Sequence, residues 1–300
     1  MSINGIINIK KEKGYTSHDV VAKMRGILQQ KKIGHTGTLD PDATGVLPVC
    51  LGNATKLCDM LVDKSKVYRV EFMLGVVTDT QDISGTCIEK KEVDVTEEKV
   101  LSVINSFLGE SMQIPPMYSA LKVNGKKLYE LAREGKEVER KAREIVITNI
   151  LVESINLPNI VMTVDCSKGT YIRTLCHDIG AILGCGAVMT ELSRLRVGDF
   201  EIADAITLGE LEVLRDEGTV KTKVRTVESF FATIEAIHAK VEFQRFLDNG
   251  NSLFLNQISE DISPIDGQLV RTYSCEGDFR AVYSWNESRN CFMPYQMFGV

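Results

Sequence analysis

Apolar positions along the chain fall into short runs whose period changes several times. Ile6, Ile7 and Ile9, with polar Asn8 and Lys10 among them, predict a short strand. Val20, Val21, Met24 and Leu28 repeat at helical spacing and predict an amphipathic helix over residues 17–30, with Thr16 and Asp19 placed as a capping box. Residues 54–62 predict a short helix with Leu57, Met60 and Leu61 inward. Residues 66–74 alternate cleanly, Tyr68, Val70, Phe72 and Leu74 on one face and Val67, Arg69, Glu71 and Met73 on the other, the period of a half-buried strand. Residues 75–85 form a polar loop carrying Asp79 and Asp82. Thr96 caps a helix with Val100, Leu101, Ile104, Phe107 and Leu108 inward, stopped by Gly109. Residues 145–153 and 160–166 predict strands. Ile172, Leu175, Cys176, Ile179, Ile182 and Leu183 then predict a helix that Gly184 ends. Arg173 lands in the first turn of that helix, where it opposes the helix dipole and calls for a carboxylate partner. Thr207 and Glu210 form a further capping box, and Gly218 closes that helix.

The texture changes near residue 235. A short helix to Leu247 is followed by strand-sized runs around Leu253, 269–273, 279–283 and 291–293, separated by turns such as Asp266-Gly267. Short strands at this spacing suggest a small β barrel or half-barrel, with a domain boundary near 235.

Composition narrows the classes. The 300 residues are 44% hydrophobic and 25% charged, enough for a real core, and the formal net charge of −6 leaves room only for a local nucleic-acid face. No apolar run is long enough to span a bilayer, and the N-terminal stretch turns basic too soon for a signal peptide. The eight cysteines form no C-x-x-C pair and sit in apolar segments, which suits reduced thiols better than disulfides or zinc. No phosphate-binding loop or dinucleotide fingerprint is present, so no cofactor or metal is expected.

Against that background one stretch concentrates chemistry: Gly34-His35-Thr36-Gly37-Thr38-Leu39-Asp40-Pro41-Asp42-Ala43-Thr44-Gly45-Val46-Leu47-Pro48. Its glycines and prolines exclude a helix interior or a central strand and predict a shaped loop, anchored by the apolar run 46–51. Asp40, extended before Pro41, is the candidate catalytic carboxylate, with a surface turn as the alternative. A second concentration is basic. Lys122, Lys126, Lys127, Arg133, Lys136, Arg140, Lys141 and Arg143, punctuated by Tyr118 and Tyr129, fit an RNA-gripping arm or a solvated helix.

Taken together, these segments resemble the TruB-type tRNA pseudouridine synthases, which act on the T-loop uridine at position 55. The motif from Gly34 to Pro41, followed by Ala43-Thr44-Gly45, carries the family aspartate at Asp40. Lys66-Val67-Tyr68-Arg69-Val70 carries its active-site tyrosine at Tyr68. Thr78-Asp79-Thr80-Gln81-Asp82 with Gly85 is a third match. Pro116-Met117-Tyr118-Ser119-Ala120-Leu121-Lys122 through Gly135 matches the thumb, and Cys166-Ser167-Lys168-Gly169-Thr170-Tyr171-Ile172-Arg173 supplies the arginine partner. Two departures stand out. The family's Asp-Lys-Pro reads Lys10-Lys11-Glu12, which keeps the lysine as Lys11, and the leucine after Asp40-Pro41 is Asp42.

The resemblance implies an α+β pseudouridine synthase fold: a mainly antiparallel central sheet flanked by helices, with a small β-rich PUA-like domain at the C-terminus. Residues 1–235 would be the catalytic domain, with the thumb at 116–143, and residues 236–300 a PUA-like RNA-binding domain. It implies Asp40 as catalyst, Arg173 as the guanidinium that keeps it ionised, and Tyr68 as the stacking ring. His35 would stack on displaced bases once the uridine is flipped out. Lys11, Lys31, Lys32, Lys122, Lys126, Lys127, Arg140, Lys141 and Arg143 would contact RNA. The expected protein is a cytoplasmic monomer that acts on the tRNA T arm without membrane or obligate protein partner. Whether Asp40 attacks the sugar, attacks the base or removes a proton stays open. A guide-RNA-dependent synthase and an RNA-folding protein are the alternatives. A glycoside hydrolase would need a second carboxylate, and Asp42 lies too close in sequence to serve across a sugar.

Overall fold

The first strand, β1 (Gly5–Lys11), is buried at every position but Lys10. A computed structural model describes residues 2–62, 64–123 and 125–299. Helix α1 (Ser17–Leu28) follows, capped as expected: Thr16 Oγ1 accepts from the Asp19 amide at 3.0 Å and Asp19 Oδ2 accepts from the Thr16 amide at 2.8 Å. It ends at Gln29, in the left-handed conformation, and buries Ile27 rather than Leu28.

Next come β2 (Ile33–His35) and β3 (Thr44–Leu51), and here the expectation of a loop throughout fails. Pro48 lies inside a central strand, opposite Asn8 of β1. The reason is local. In a strand, one residue's N–H and C=O point the same way. The Pro48 carbonyl accepts from Thr36, one residue beyond the end of β2, so the missing proline N–H falls where its neighbour strand has just stopped.

Residues 54–62 divide into a 3₁₀ turn over Gly52–Leu57 and α2 (Cys58–Val62). In β4 (Lys66–Leu74) the alternation holds, with Val70, Phe72 and Leu74 buried and Tyr68 half-buried on the same face. The polar loop after it is partly a hairpin, β5 (Val76–Thr78) against β6 (Cys87–Lys90). Helix α3 (Glu97–Asn105) stops short of Phe107, and both Leu101 within it and Leu108 beyond it are exposed rather than inward. Then follow β7 (Gly109–Gln113), the small hairpin β8 (Lys122–Val123) and β9 (Lys126–Lys127), and α4 (Leu128–Arg133). The basic run is thus neither one helix nor one strand. The long β10 (Arg143–Asn156) and β11 (Asn159–Cys166) lead to α5 (Ile172–Leu183) and to β12 (Ala187–Val197), a strand the pattern did not reveal. The segment closes with β13 (Phe200–Glu201) and α6 (Leu208–Asp216).

The central sheet runs β1-β3-β12-β4-β11-β10-β7, with β2 on β3 and β13 on β12. Every pairing is antiparallel except β3 with β12, where Thr44 and Gly45 face Ser193 and Arg194. Gly45 is required there: φ is +111° and a Cβ would lie 2.1 Å from the Arg194 carbonyl oxygen. One core packs α3 and α5 on β4, β10 and β11 through Val70, Phe72, Ile104, Met162 and Leu175. Another packs α1 and α6 on Ile7, Ile9 and Leu47.

The C-terminal part is a four-stranded sheet rather than a barrel outline. In it β14 (Glu235–His238) runs parallel to β15 (Leu269–Tyr273), followed antiparallel by β16 (Phe279–Asn286) and β17 (Cys291–Met297). It has its own core of Ile237, Leu247, Val270, Tyr283 and Phe292, and Leu253 contributes one bridge to Phe292 instead of a strand. A shared cluster of Ile6, Val46, Cys50, Phe200, Phe231, Val282 and Phe298 joins it to the central sheet.

Candidate active site

The loop between β2 and β3 is fixed by its backbone from several sides. Leu39 is buried, and its N–H donates to Ser17 Oγ at 2.9 Å. The Pro41 carbonyl accepts from the Gly14 amide and from Lys11 Nζ, both at 2.9 Å. Arg194 of β12 donates from Nε to the Val46 carbonyl at 2.7 Å, and from its two terminal nitrogens to the Thr38 and Gly37 carbonyls at 3.4 Å. Asp40 therefore projects from a loop whose neighbours are held on both sides.

Arg173 meets it from the start of α5. Gln113 of β7 fixes that start, accepting from the Tyr171 amide at 2.8 Å and donating to the Tyr171 carbonyl at 3.0 Å. Arg173 is buried, with Nε 3.0 Å from Asp40 Oδ2 and Nη2 3.3 Å from Oδ1, a two-point contact. Its remaining donors reach the Thr80 carbonyl at 2.9 Å and the Tyr118 carbonyl at 2.7 Å, and Asp82 Oδ2 lies 3.5 Å from Nη1. The helix-dipole penalty is answered by two carboxylates. The sequence places Asp82 in a polar loop and in the third family motif and assigns it no role. In fact its Oδ1 accepts from Thr80 and Ser84, which shapes the β5–β6 turn over the arginine.

Two clefts of about 670 Å³ and 680 Å³ meet at the Asp40–Arg173 pair, each large enough for a nucleotide with its neighbours. The first is lined by Tyr118, Lys127, Tyr129 and Arg133 of the segment 116–143 together with Asp82 and Ile83. The second is lined by His35, Tyr68, Arg143, Lys168, Tyr171 and Arg194. Burial pushes the Tyr68 phenol above the ordinary tyrosine range, while the Arg194 guanidinium and its hydrogen bond to the ring oxygen pull it back. Burial likewise raises Tyr171. The His35 ring stands edge-on to His18 at 5.2 Å, and its Nδ1 accepts from the Gly37 amide. Burial first, then the charges of His18 and Arg194, hold it below the usual histidine range, so it is neutral at neutral pH.

The structure thus brings Asp40, Arg173, Tyr68 and His35 around one opening. Lys11 does not join them as an RNA contact: it is fully buried, donating to the carbonyls of Glu12, Tyr15 and Pro41 at 3.0, 2.6 and 2.9 Å. Burial lowers its pKa to about 8, against the opposing pull of Asp40 and Asp42. The remaining basic candidates lie outward. Lys31, Lys32, Lys122, Lys126, Lys141 and Arg143 are exposed, and Lys127 and Arg140 half-buried. Arg140 also donates to the Pro115 carbonyl just before the segment 116–143. Among the described residues no group of His, Cys, Asp and Glu side chains is arranged to hold a metal ion, and no helix is long and apolar enough to cross a membrane.

A carboxylate braced by a buried arginine beside a tyrosine, on this sheet order, defines a class. A solved H/ACA RNP bound to a substrate RNA containing 2′-deoxyuridine matches with TM-score 0.70 and 26% identity, covering 99% of this chain and 85% of that one, and places the fold among the pseudouridine synthases. The particular family follows from sequence. The TruB family pseudouridylate synthase N-terminal domain matches residues 25–172, and the tRNA pseudouridylate synthase B C-terminal domain matches 173–232. A tRNA pseudouridine synthase B of Lachnoclostridium phytofermentans is 48% identical, covering 99% of this chain and all of that one. Another, of Clostridium perfringens strain SM101, is 47% identical over 92% and 93% of the two chains. The chain belongs to the TruB family of pseudouridine synthases, isomerases that convert uridine to pseudouridine in tRNA.

Proposed function

We propose that this chain isomerises the T-loop uridine at position 55 of tRNA, with Asp40 as the catalytic carboxylate. The observation that carries the reading is the two-point contact of Arg173 with Asp40 at the junction of two clefts. The guanidinium holds the carboxylate charged and aimed, as a group acting at a sugar or base at neutral pH must be. The uridine is extruded from its stack, at about a few kcal/mol. Tyr68 supplies a ring for the detached base, and neutral His35 stacks on the bases left behind.

In this reading the segment 116–143 is a thumb whose root is tied to the active site through the Tyr118 carbonyl. Lys31, Lys32, Lys122, Lys126, Lys127, Arg140, Lys141 and Arg143 engage phosphates. Residues 1–235 are the catalytic domain and 236–300 a PUA-like RNA-binding domain. The enzyme works as a cytoplasmic monomer, without a guide RNA or protein partner. The test uses a T-arm hairpin carrying uridine tritiated at C5, the position that loses its hydrogen when the base is rejoined through carbon. Asp40→Asn is expected to release no tritium above background while still binding the hairpin. Turnover within about tenfold of wild type would remove Asp40 from the chemistry.

A further inference from the structure

Three cations surround the Asp40 loop, and their partners differ. Arg173 faces two carboxylates. Lys11 is closed in by three carbonyl oxygens. Arg194 is 2% exposed, donates to the Val46, Thr38 and Gly37 carbonyls and stands directly opposite Tyr68 in the β12–β4 pairing, and among the described residues it forms no ion pair. A guanidinium taken out of water among neutral groups keeps its positive potential uncancelled. That potential opens on the second cleft, which Arg194 lines together with Tyr68, His35 and Asp40.

The isomerisation proposed above produces a negative charge to match. When the N1–C1′ bond breaks, its electron pair stays with the uracil, which becomes an anion spread over N1 and the ring carbonyl oxygens. Asp40 answers the sugar's electron deficiency, either by bonding at C1′ or by taking the C2′ proton. The base turns and C5 bonds to C1′, displacing the Asp40 carboxylate from C1′ in the first case or with Asp40 returning the proton to C2′ in the second; the C5 proton is then released and N1 takes one up, so the product is an isomer of the substrate. The two carboxylates already neutralise Arg173, and Lys11 is enclosed behind the loop. Of the described cations that line this cleft, Lys66, Arg143, Lys168 and Arg194 besides Arg173, Arg194 is the one set directly across the sheet from Tyr68.

We infer that Arg194 stabilises the detached uracil anion through the Tyr68 hydroxyl while fixing the Gly37–Thr38 backbone that carries Asp40. It is a positioning residue: the phenol, not the guanidinium, meets the base. The inference rests on the isomerase reading above. Its geometric root is the only parallel pairing of the central sheet among the described residues, Arg194 opposite Gly45, which brings the arginine's strand directly against the loop's far end.

Arg194→Gln keeps amide donors near the same carbonyls and removes the charge. On the T-arm hairpin its kcat is expected to fall about 100-fold with KM within about threefold, the loss typical of one preorganised stabilising group. The deciding readout is the leaving base. With 2-thiouridine at the target position the base departs as a more stable anion, and the loss should shrink to about tenfold or less. Tyr68→Phe keeps the ring and its packing, folds independently of the arginine's burial, and should show a smaller loss with the same dependence on the base. Equal losses on the two bases in either variant, or an unchanged kcat in Arg194→Gln, would overturn the inference and leave Arg194 a scaffold residue. Wild-type turnover of both hairpins, abolished by Asp40→Asn, keeps this result separate from the isomerase reading. That reading fails instead if wild type turns over neither.

Discussion

The surroundings of Asp40 and the segment 116–143, the proposed thumb, both gather charge and are built in opposite ways. Around Asp40 the cations are buried and engaged. Lys11, Arg173 and Arg194 each hold two or more backbone carbonyls, and β1, β3, β12 and α5 close over them. In the thumb the charges face water. Lys126 and Lys136 pair with Glu134 at 3.4 and 2.7 Å, on side chains 41–62% exposed, and the underlying structure is two two-residue strands and a six-residue helix. Exposed pairs of that kind contribute little to stability. A carboxylate that must meet one atom needs a fixed seat. An arm that tracks a phosphate backbone needs charge at roughly the right place and freedom to follow its ligand.

The sharpest way to test the contrast is at Arg173, where the two regions touch. Its side chain ties the Asp40 carboxylate to the β5–β6 turn and to the thumb's root. Arg173→Met leaves two acids facing an apolar group. We expect kcat/KM to fall by about 1,000-fold and unfolding stability by about 2 kcal/mol, less than for a fully buried pair because the Asp40 side chain is 38% exposed. Arg173→Lys keeps the charge without the fork and should recover less than about a tenth of the lost rate. Single-turnover kinetics and thermal denaturation measure the two effects. Near-wild-type turnover in Arg173→Met would mean that the loop alone holds Asp40 and that the seat needs no arginine.

Lys11 gives a smaller effect with a sign of its own. Its folded-state pKa is about 8, against 10.5 when exposed. Between those values the unfolded chain keeps the proton and the folded one sheds it. The unfolded state therefore binds more protons, and Lys11's contribution to stability becomes more favourable as pH rises from about 8 to about 10.5. Relative to Lys11→Met, the wild-type unfolding midpoint should climb across that window. Turnover should run the other way, because a neutral amine holds the Pro41 carbonyl more weakly than an ammonium does. Parallel pH profiles for wild type and Lys11→Met would show that this lysine is not the clamp.

How much of this was readable beforehand depends on whether the signal was local. Arg173 was readable because an arginine in a helix's first turn needs an acid, and Asp40 because a carboxylate before proline in a glycine-rich loop is held extended. Lys11 was assigned to RNA, yet the period of two already put it on the Ile7 and Ile9 face of β1, the face that packs on α1 and α6. Arg194 could not be found that way. Irregularities in β12 between Met189 and Glu191, and again between Arg194 and Arg196, break the alternation that would have marked the strand and its buried face. The pairing of β12 with β3 joins residues far apart in the chain, and no local pattern encodes it. The C-terminal sheet was visible as strands and turns, but its parallel β14–β15 edge was not, since hairpin spacing signals antiparallel partners only.

The smallest expected effects lie in the thumb, and they bear on the contrast most directly because they should be additive. Lys126→Ala and Lys141→Ala each remove one exposed charge, and Lys126 gives up only a surface pair with Glu134. Unfolding stability should stay within about 0.5 kcal/mol of wild type. Hairpin affinity should fall by less than about tenfold for each, and the slope of log affinity against log salt should become shallower by about one per charge removed. In the double variant the losses should add, since neither side chain holds the other, whereas pairs within the Asp40 seat should couple strongly. A thumb lysine whose loss abolishes turnover on bound hairpin, with the salt slope unchanged, would act on the reaction rather than on the grip, and the division between a rigid seat and a compliant arm would then fail at that residue.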